Sequence, residues 1–213
     1  MAILQEISEN LQKGYAPKVT ELVKQALNNK LDPLQILNDG LINGMNIVGV
    51  KFRNNEIYVP EVLIAARAMY AGLNILRPIL TQTGATYVGR VVIGTVKGDI
   101  HDIGKNLVKM MMEGAGFEVI DLGVDVSPEK FVDAVKNYKP DILGMSALLT
   151  TTMLNMKDTI EALKSENLRD KVVVMVGGAA VTESYAVEIG ANGYARDSVS
   201  AVERAKELVL NYK

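Results

Sequence analysis

Over the first 82 residues, apolar side chains return every three or four positions, beginning with Ile3, Leu4, Ile7 and Leu11. That interval puts them on one face of an α-helix. Pro17, Pro33 and Pro60 each stand just ahead of a further periodic segment, where a fixed φ and a missing N–H suit the first helical turn. Asp32, beside Pro33, is placed to cap the helix that follows. The pattern predicts a four-helix bundle with helices at 2–13, 17–29, 33–51 and 60–82, its connections short enough for antiparallel neighbours. Met45, Val48, Phe52, Met69 and Leu73 fall at core spacing. The stretch TQTGATYVG, residues 81–89, breaks the periodicity with glycine and small polar residues. We therefore divide the chain into a helical bundle (1–83), a linker (84–88) and a second domain (89–213).

Beyond Gly89 the pattern changes. RVVIGTV, FEVIDLG, DILGMSAL, KVVVMVGG and NGYARD are short apolar or β-branched runs, each followed by a helical pattern. This alternation predicts a doubly wound parallel five-stranded sheet covered on both faces, an α/β domain of flavodoxin-like (Rossmann-like) layout. In that layout the crevice lies beyond the carboxyl ends of strands 1 and 3, where the chain direction diverges. GDIHDIG (98–104) follows strand 1, and SALLT (146–150) follows strand 3.

Composition narrows the chemistry. The formal net charge is −2 with no run of like charge, which argues against a nucleic-acid partner. There is no cysteine and a single histidine, so thiolate metal sites, disulfides, thiol nucleophiles and multi-histidine metal sites within one chain are excluded. Glu6 and Glu9 interrupt the N-terminal stretch where a signal peptide needs an apolar core. No uninterrupted apolar run approaches ~18 residues, so no membrane span is expected and the cytoplasm is the expected compartment.

The lone histidine, His101, sits in the turn after strand 1. An ordinary reading makes this a βα turn with Asp102 capping the next helix and Ser146 or Thr150 capping another. No GxGxxG opens the first helix, and no phosphate-binding GxxxxGK[ST] is present. Asp99 lies two residues before His101, on the same side of an extended turn. It can hold one ring nitrogen while the other faces outward, as a carboxylate does behind a metal-bound histidine. One imidazole binds a bare ion poorly, but it can supply one axial ligand to a metal already held by a macrocycle.

Asp99-x-His101-x-x-Gly104, Ser146-x-Leu148 and Gly177-Gly178, in that order at strand ends, resemble the three-part fingerprint of cobalamin-binding domains. Residues 40–69, GLINGMNIVGVKFRNNEIYVPEVLIAARAM, resemble the helical cap of the methionine synthase type. The whole chain is thus similar to the corrinoid proteins of anaerobic methyltransferase systems. The resemblance implies a cobalamin bound base-off/His-on, with His101 as axial ligand to cobalt, Asp99 bonded to His101 and Ser146 bonded to Asp99. Gly98, Ile100 and Asp102 would lie beneath the corrin, Ile103 and Gly104 would also contact the cofactor, and Leu148 and Thr150 would line the nucleotide tail. Gly177 and Gly178 would leave bare backbone beside the tail, and Tyr194, Asp197 and Ser198 would meet its far end. Val59, Pro60 and Ile64 are candidates for an apolar lid.

A methyl carrier of this kind, not catalytic alone, would take its methyl group from a methylamine, methanol, betaine or methoxylated aromatic through a substrate-specific methyltransferase. A second methyltransferase would pass it to tetrahydrofolate or a thiol coenzyme, and a reductive activation protein would serve the pair. Carbon-skeleton mutase subunits share the fingerprint but do not need the helical half. Cobalamin-dependent sensors usually carry a DNA-binding unit, and no basic recognition helix precedes this bundle.

Overall fold

The computed structural model describes residues 2–82 and 87–212. The chain divides into two compact units, Met1–Thr86 with Gly114–Gly116, and Tyr87–Glu113 with Phe117–Lys213. The expected linker, 84–88, falls mostly outside the described residues.

The first unit is helical. Helix α1 (Ala2–Gln12) buries Leu4, Ile7 and Leu11, and α2 (Ala16–Asn28) buries Val19, Leu22, Val23 and Ala26. Pro17 stands in the first turn of α2, as its fixed φ favours. The third expected helix is not continuous. A short α3 (Pro33–Gln35) runs into a π-helical stretch, Ile36–Ile42, and only then into α4 (Asn43–Arg53). Buried Ile36 and Leu41 lie five residues apart, the interval of an i→i+5 turn. Gly40 and Gly44 allow this segment close to α1: a Cβ on Gly40 would stand 3.1 Å from the Ile7 side chain, and one on Gly44 3.1 Å from the Ser8 backbone. Asp32 occupies the N-cap position of α3 in extended backbone, but its side chain makes no capping bond.

Helix α5 (Val59–Gln82) buries Val62, Ala65, Ala66, Ala68, Met69, Leu73, Leu76 and Leu80. Of the expected core set, Met45, Val48, Met69 and Leu73 are buried and Phe52 is half-buried. By length and average hydropathy Val59–Leu80 would pass for a membrane span, though it is no uninterrupted apolar run. Glu61, Arg67 and Arg77 break the run without offsetting its alanine and leucine content. Its buried face is that of a core helix. Of the candidate lid residues in its first turns, Val59 is half-buried, while Pro60 and Ile64 are exposed.

The second unit alternates strand and helix: β1 (Arg90–Thr95), α6 (Ile103–Gly114), β2 (Glu118–Asp121), α7 (Pro128–Tyr138), β3 (Ile142–Ser146), α8 (Leu154–Ser165), β4 (Val173–Gly177), α9 (Glu183–Glu188), β5 (Gly193–Ala195) and α10 (Ser198–Tyr212). The described strands form one five-stranded parallel sheet in the order β2-β1-β3-β4-β5, the flavodoxin-like order expected from the sequence. Val91, Val92, Ile93 and Thr95 are all buried without alternation, because helices cover both faces of a parallel sheet. One layer packs Val92, Leu143, Met145, Val174 and Val176 against Phe131, Met156 and Ile160.

Register then sets the site. Thr95 pairs with Ser146, Ser146 with Gly177 and Gly177 with Ala195, so four strands end level along one edge. Gly177 and Gly178 are demanded by this closure. A Cβ on Gly177 would lie 2.8 Å from the Ala195 carbonyl oxygen, and one on Gly178 2.0 Å from that of Ala147. Gly178 also has φ +119°, which side-chain-bearing residues rarely adopt. We expect Gly178→Ala to lower stability by roughly 2–4 kcal/mol through strain and clash. The midpoint of urea unfolding of the full chain measures this.

Candidate functional site

The β1–α6 turn is the centre of the level edge. After Thr95 the chain passes Gly98 at φ +76° and folds back on itself: the Asp99 N–H donates to Val96 C=O at 3.1 Å, and the Thr95 hydroxyl donates to His101 C=O at 3.0 Å. These bonds bring Asp99 underneath the turn, 1% exposed, and leave His101 above it.

The Asp99 carboxylate collects donors from two loops. Oδ1 accepts the His101 backbone N–H at 3.0 Å and pairs with the His101 ring Nδ1 at 2.8 Å. Oδ2 accepts the Leu148 N–H at 2.8 Å and lies 2.7 Å from the Thr152 hydroxyl. Burial pushes the Asp99 pKa up. The Thr152 hydroxyl, the two backbone N–H groups and the imidazole together outweigh it and hold the carboxyl well below the usual carboxylate range. An ionised Asp99 accepts only, so the ring carries a hydrogen on Nδ1 and turns Nε2 away from the carboxylate. The His101 side chain is 48% exposed, and Nε2 has no partner among the described residues.

The surroundings are apolar and open. Ile100 is 74% exposed and Ile103 80%, with Val124, Leu148 and Leu149 exposed nearby in the chain's other edge loops. A Cβ on Gly104 would meet nothing within 4 Å, so Gly104 presents bare backbone to open space. Among the described residues no group of three or more histidine, cysteine, aspartate or glutamate side chains could hold a metal ion. The arrangement therefore suits a flat, largely apolar group whose metal lacks one ligand and already has the rest.

The remaining expected residues fall as follows. Ser146 ends β3 beside Thr95 and Gly177, but its hydroxyl makes no bond to Asp99. The group that does so is Thr152, in the turn before α8, which the sequence reading overlooked. Three consecutive threonines, 150–152, carry the chemistry, and the turn geometry selects the buried third one while Thr150 is exposed. Asp102 accepts from the Asn106 side chain at 3.0 Å and from its N–H at 2.7 Å. Tyr194, Asp197 and Ser198 lie on the same sheet edge, but β5 is three strand steps from β1, about 14 Å.

Asp197 serves α10 itself, its Oδ1 accepting the N–H groups of Val199 at 3.1 Å and Ser200 at 2.7 Å. Burial raises its pKa, and the Ser200 and Arg196 donors outweigh that, leaving a net lowering. The Ser198 hydroxyl is buried with no protein partner among the described residues, a polar group free to meet a ligand at that end. The sequence reading also overlooked Lys105. It is buried, and its Nζ lies 2.6 Å from Asp121 Oδ1, tying the first turn of α6 to the end of β2.

At its switch point the parallel sheet thus presents a carboxylate-backed imidazole among exposed apolar side chains and bare glycine backbone. Models of the B12 binding domain match residues 89–203 and, as a second such model, residues 3–77. A corrinoid protein from Desulfitobacterium hafniense (strain Y51) is 42% identical over 98% of this chain and 98% of its own. A dimethylamine corrinoid protein from Methanosarcina barkeri is 43% identical over 97% of each chain. Among solved structures, the methanol:cobalamin methyltransferase complex MtaBC from Methanosarcina barkeri matches with TM-score 0.87 and 30% identity, over 98% of this chain and 80% of that one. The chain belongs to the corrinoid protein family of methyltransferase systems.

Because folding depresses the Asp99 pKa, its contribution to stability is complete above the ordinary carboxylate range and falls away as pH drops below it. Thr152→Val removes a donor to the charged form. It should cost roughly 1–3 kcal/mol at neutral pH and shift acid unfolding to higher pH, whereas Ser146→Ala should leave both nearly unchanged. Urea titrations across the acid range follow both effects.

Proposed function

We propose that the chain is a methyl carrier between two methyltransferases, holding a base-off corrinoid on His101. The carrying observation is the ring itself: the sole histidine, locked through Nδ1 to a buried carboxylate with Nε2 free at an apolar surface. The corrinoid, when bound, supplies a cobalt able to take up and release a methyl group.

The chain's own residues do the rest. Nε2 of His101 would hold the cobalt. Asp99 fixes the tautomer and direction of the ring, and Thr152 with the Leu148 N–H keeps Asp99 ionised. Ile100, Ile103, Leu148 and Leu149 would keep water from a bound corrinoid. The buried, unpartnered Ser198 hydroxyl would meet the nucleotide tail at the far edge, while Gly177 and Gly178 keep the intervening strand ends free of side chains. A reductive activation protein would restore the carrier after oxidation. Identities of 43–44% to several dimethylamine corrinoid proteins over nearly the whole chain, against 30% for the methanol complex, support a methylated amine as donor. Folate or thiol acceptors both remain compatible with these residues. We also propose the helical residues 1–83 as a separable cap, with the cytoplasm as the compartment.

Reconstitution with hydroxocobalamin should give a coloured, stoichiometric complex on gel filtration; a colourless fraction defeats the reading. His101→Gln should retain the corrinoid and lose the axial-nitrogen splitting in the electron paramagnetic resonance spectrum of its cobalt(II) state. Asp99→Asn should keep that splitting. Residues 89–213 alone should also bind, with cobalt(I) oxidising faster than in the full chain.

A further inference from the structure

Among the described residues, Asp125 is the one outside the β1–α6 turn that grips its backbone at two consecutive positions. It lies in the loop between β2 and α7, with φ +52°, a left-handed conformation that aspartate tolerates better than most residues. Around it the chain keeps pairing with β1: Thr95 N–H donates to Gly123 C=O at 3.0 Å, and Val126 N–H to Thr95 C=O at 2.9 Å. Between these bonds Asp125 turns toward the histidine turn. Its N–H donates to Asp99 C=O at 3.0 Å, and its Oδ1 accepts the Gly98 N–H at 2.7 Å.

The two bonds run in opposite senses across the Gly98–Asp99 peptide. Asp99 is thus held from both neighbouring loops, its backbone from the β2 side by Asp125 and its carboxylate from the β3 side by Leu148 and Thr152. Gly98, at φ +76°, lacks the side-chain restraint that would otherwise limit its backbone. Asp125 is itself exposed, so it contributes little to core packing. A residue that spends an uncommon backbone conformation and a carboxylate on one exposed turn acts on the placement of that turn.

We propose that Asp125 is a positioning residue for the Asp99–His101 pair, setting the reach of the imidazole toward the corrinoid. This rests on His101 as the axial donor. Left-handed backbone and hydrogen bonding can be separated by substitution: Asp125→Gly keeps the backbone conformation accessible and removes the acceptor, whereas Asp125→Asn keeps an acceptor oxygen without the charge.

The test uses the full chain in two forms. In the corrinoid-free chain, amide exchange of Gly98 followed by NMR should quicken about tenfold in Asp125→Gly, the effect of one ordinary hydrogen bond, and stay near wild type in Asp125→Asn. In the hydroxocobalamin-loaded chain reduced to cobalt(II), the ratio of nitrogen-ligated to unligated signal should fall by a similar factor in Asp125→Gly and be restored in Asp125→Asn. An unchanged ratio in Asp125→Gly, an equal fall in both variants, or unchanged Gly98 exchange overturns the proposal while leaving His101 as ligand. A wild-type chain without axial-nitrogen splitting overturns the His101 assignment and the proposal with it.

Discussion

A carboxylate taken out of water is tolerated only where donors replace the water it loses. Asp99 meets that condition with two backbone N–H groups, a threonine hydroxyl and an imidazole. These donors come from two different βα loops, so the charge can be satisfied only when β1 and β3 end level with each other. Strand register, the fold of the β3–α8 turn and the tautomer of His101 are thereby linked to one buried negative charge. The dependence runs outward from it: without the Asp99 side chain, Nδ1 loses its acceptor and the ring has no fixed direction.

Other carboxylates along the same edge show how local this solution is. Burial raises the pKa of Asp121 as well, and the Lys105 bond, the Gly123 N–H and the two lysine charges bring it down, which fastens α6 rather than any exposed group. Asp197 is absorbed by the start of α10. Only at Asp99 does the charge pass its effect to a half-exposed ring. The same chemistry, a carboxylate at a strand end, therefore yields an anchor, a cap and a support for an imidazole, according to which donors the neighbouring loop supplies.

Much of this was legible in the sequence, and the failures have physical causes. The strands read correctly because a doubly covered sheet writes its strands as unbroken apolar runs, as in Arg90–Thr95. Helices α1 and α2 read correctly because Leu4, Ile7 and Leu11, or Val19, Leu22 and Val23, keep a 3.6-residue phase. The interruption at Ile36–Ile42 did not, since a five-residue step between Ile36 and Leu41 looks like noise in such a pattern. His101 and Asp99 could be read from spacing because they are neighbours in the chain. Thr152 could not, because its bond to Asp99 spans 53 positions and depends on which of three threonines the turn points inward. Gly177 and Gly178 stood out in the sequence as bare backbone, but their close approaches to Ala195 and Ala147 are properties of tertiary closure and could not be read there.

The π-helical stretch has a consequence for how the helical unit tolerates insertions and deletions. An α-helix advances 100° per residue, at 3.6 residues per turn, so the surplus residue in the widened turn acts as a phase shifter between α3 and α4. It allows Ile36 on one side and Met45 and Val48 on the other to be buried together, although a straight helix would carry them out of step. Losing a single residue there would leave every side chain of α4 chemically intact and rotate its inward-facing row by about a quarter turn or more. The segment is thus fixed in length more strictly than in composition, the reverse of what a surface loop permits.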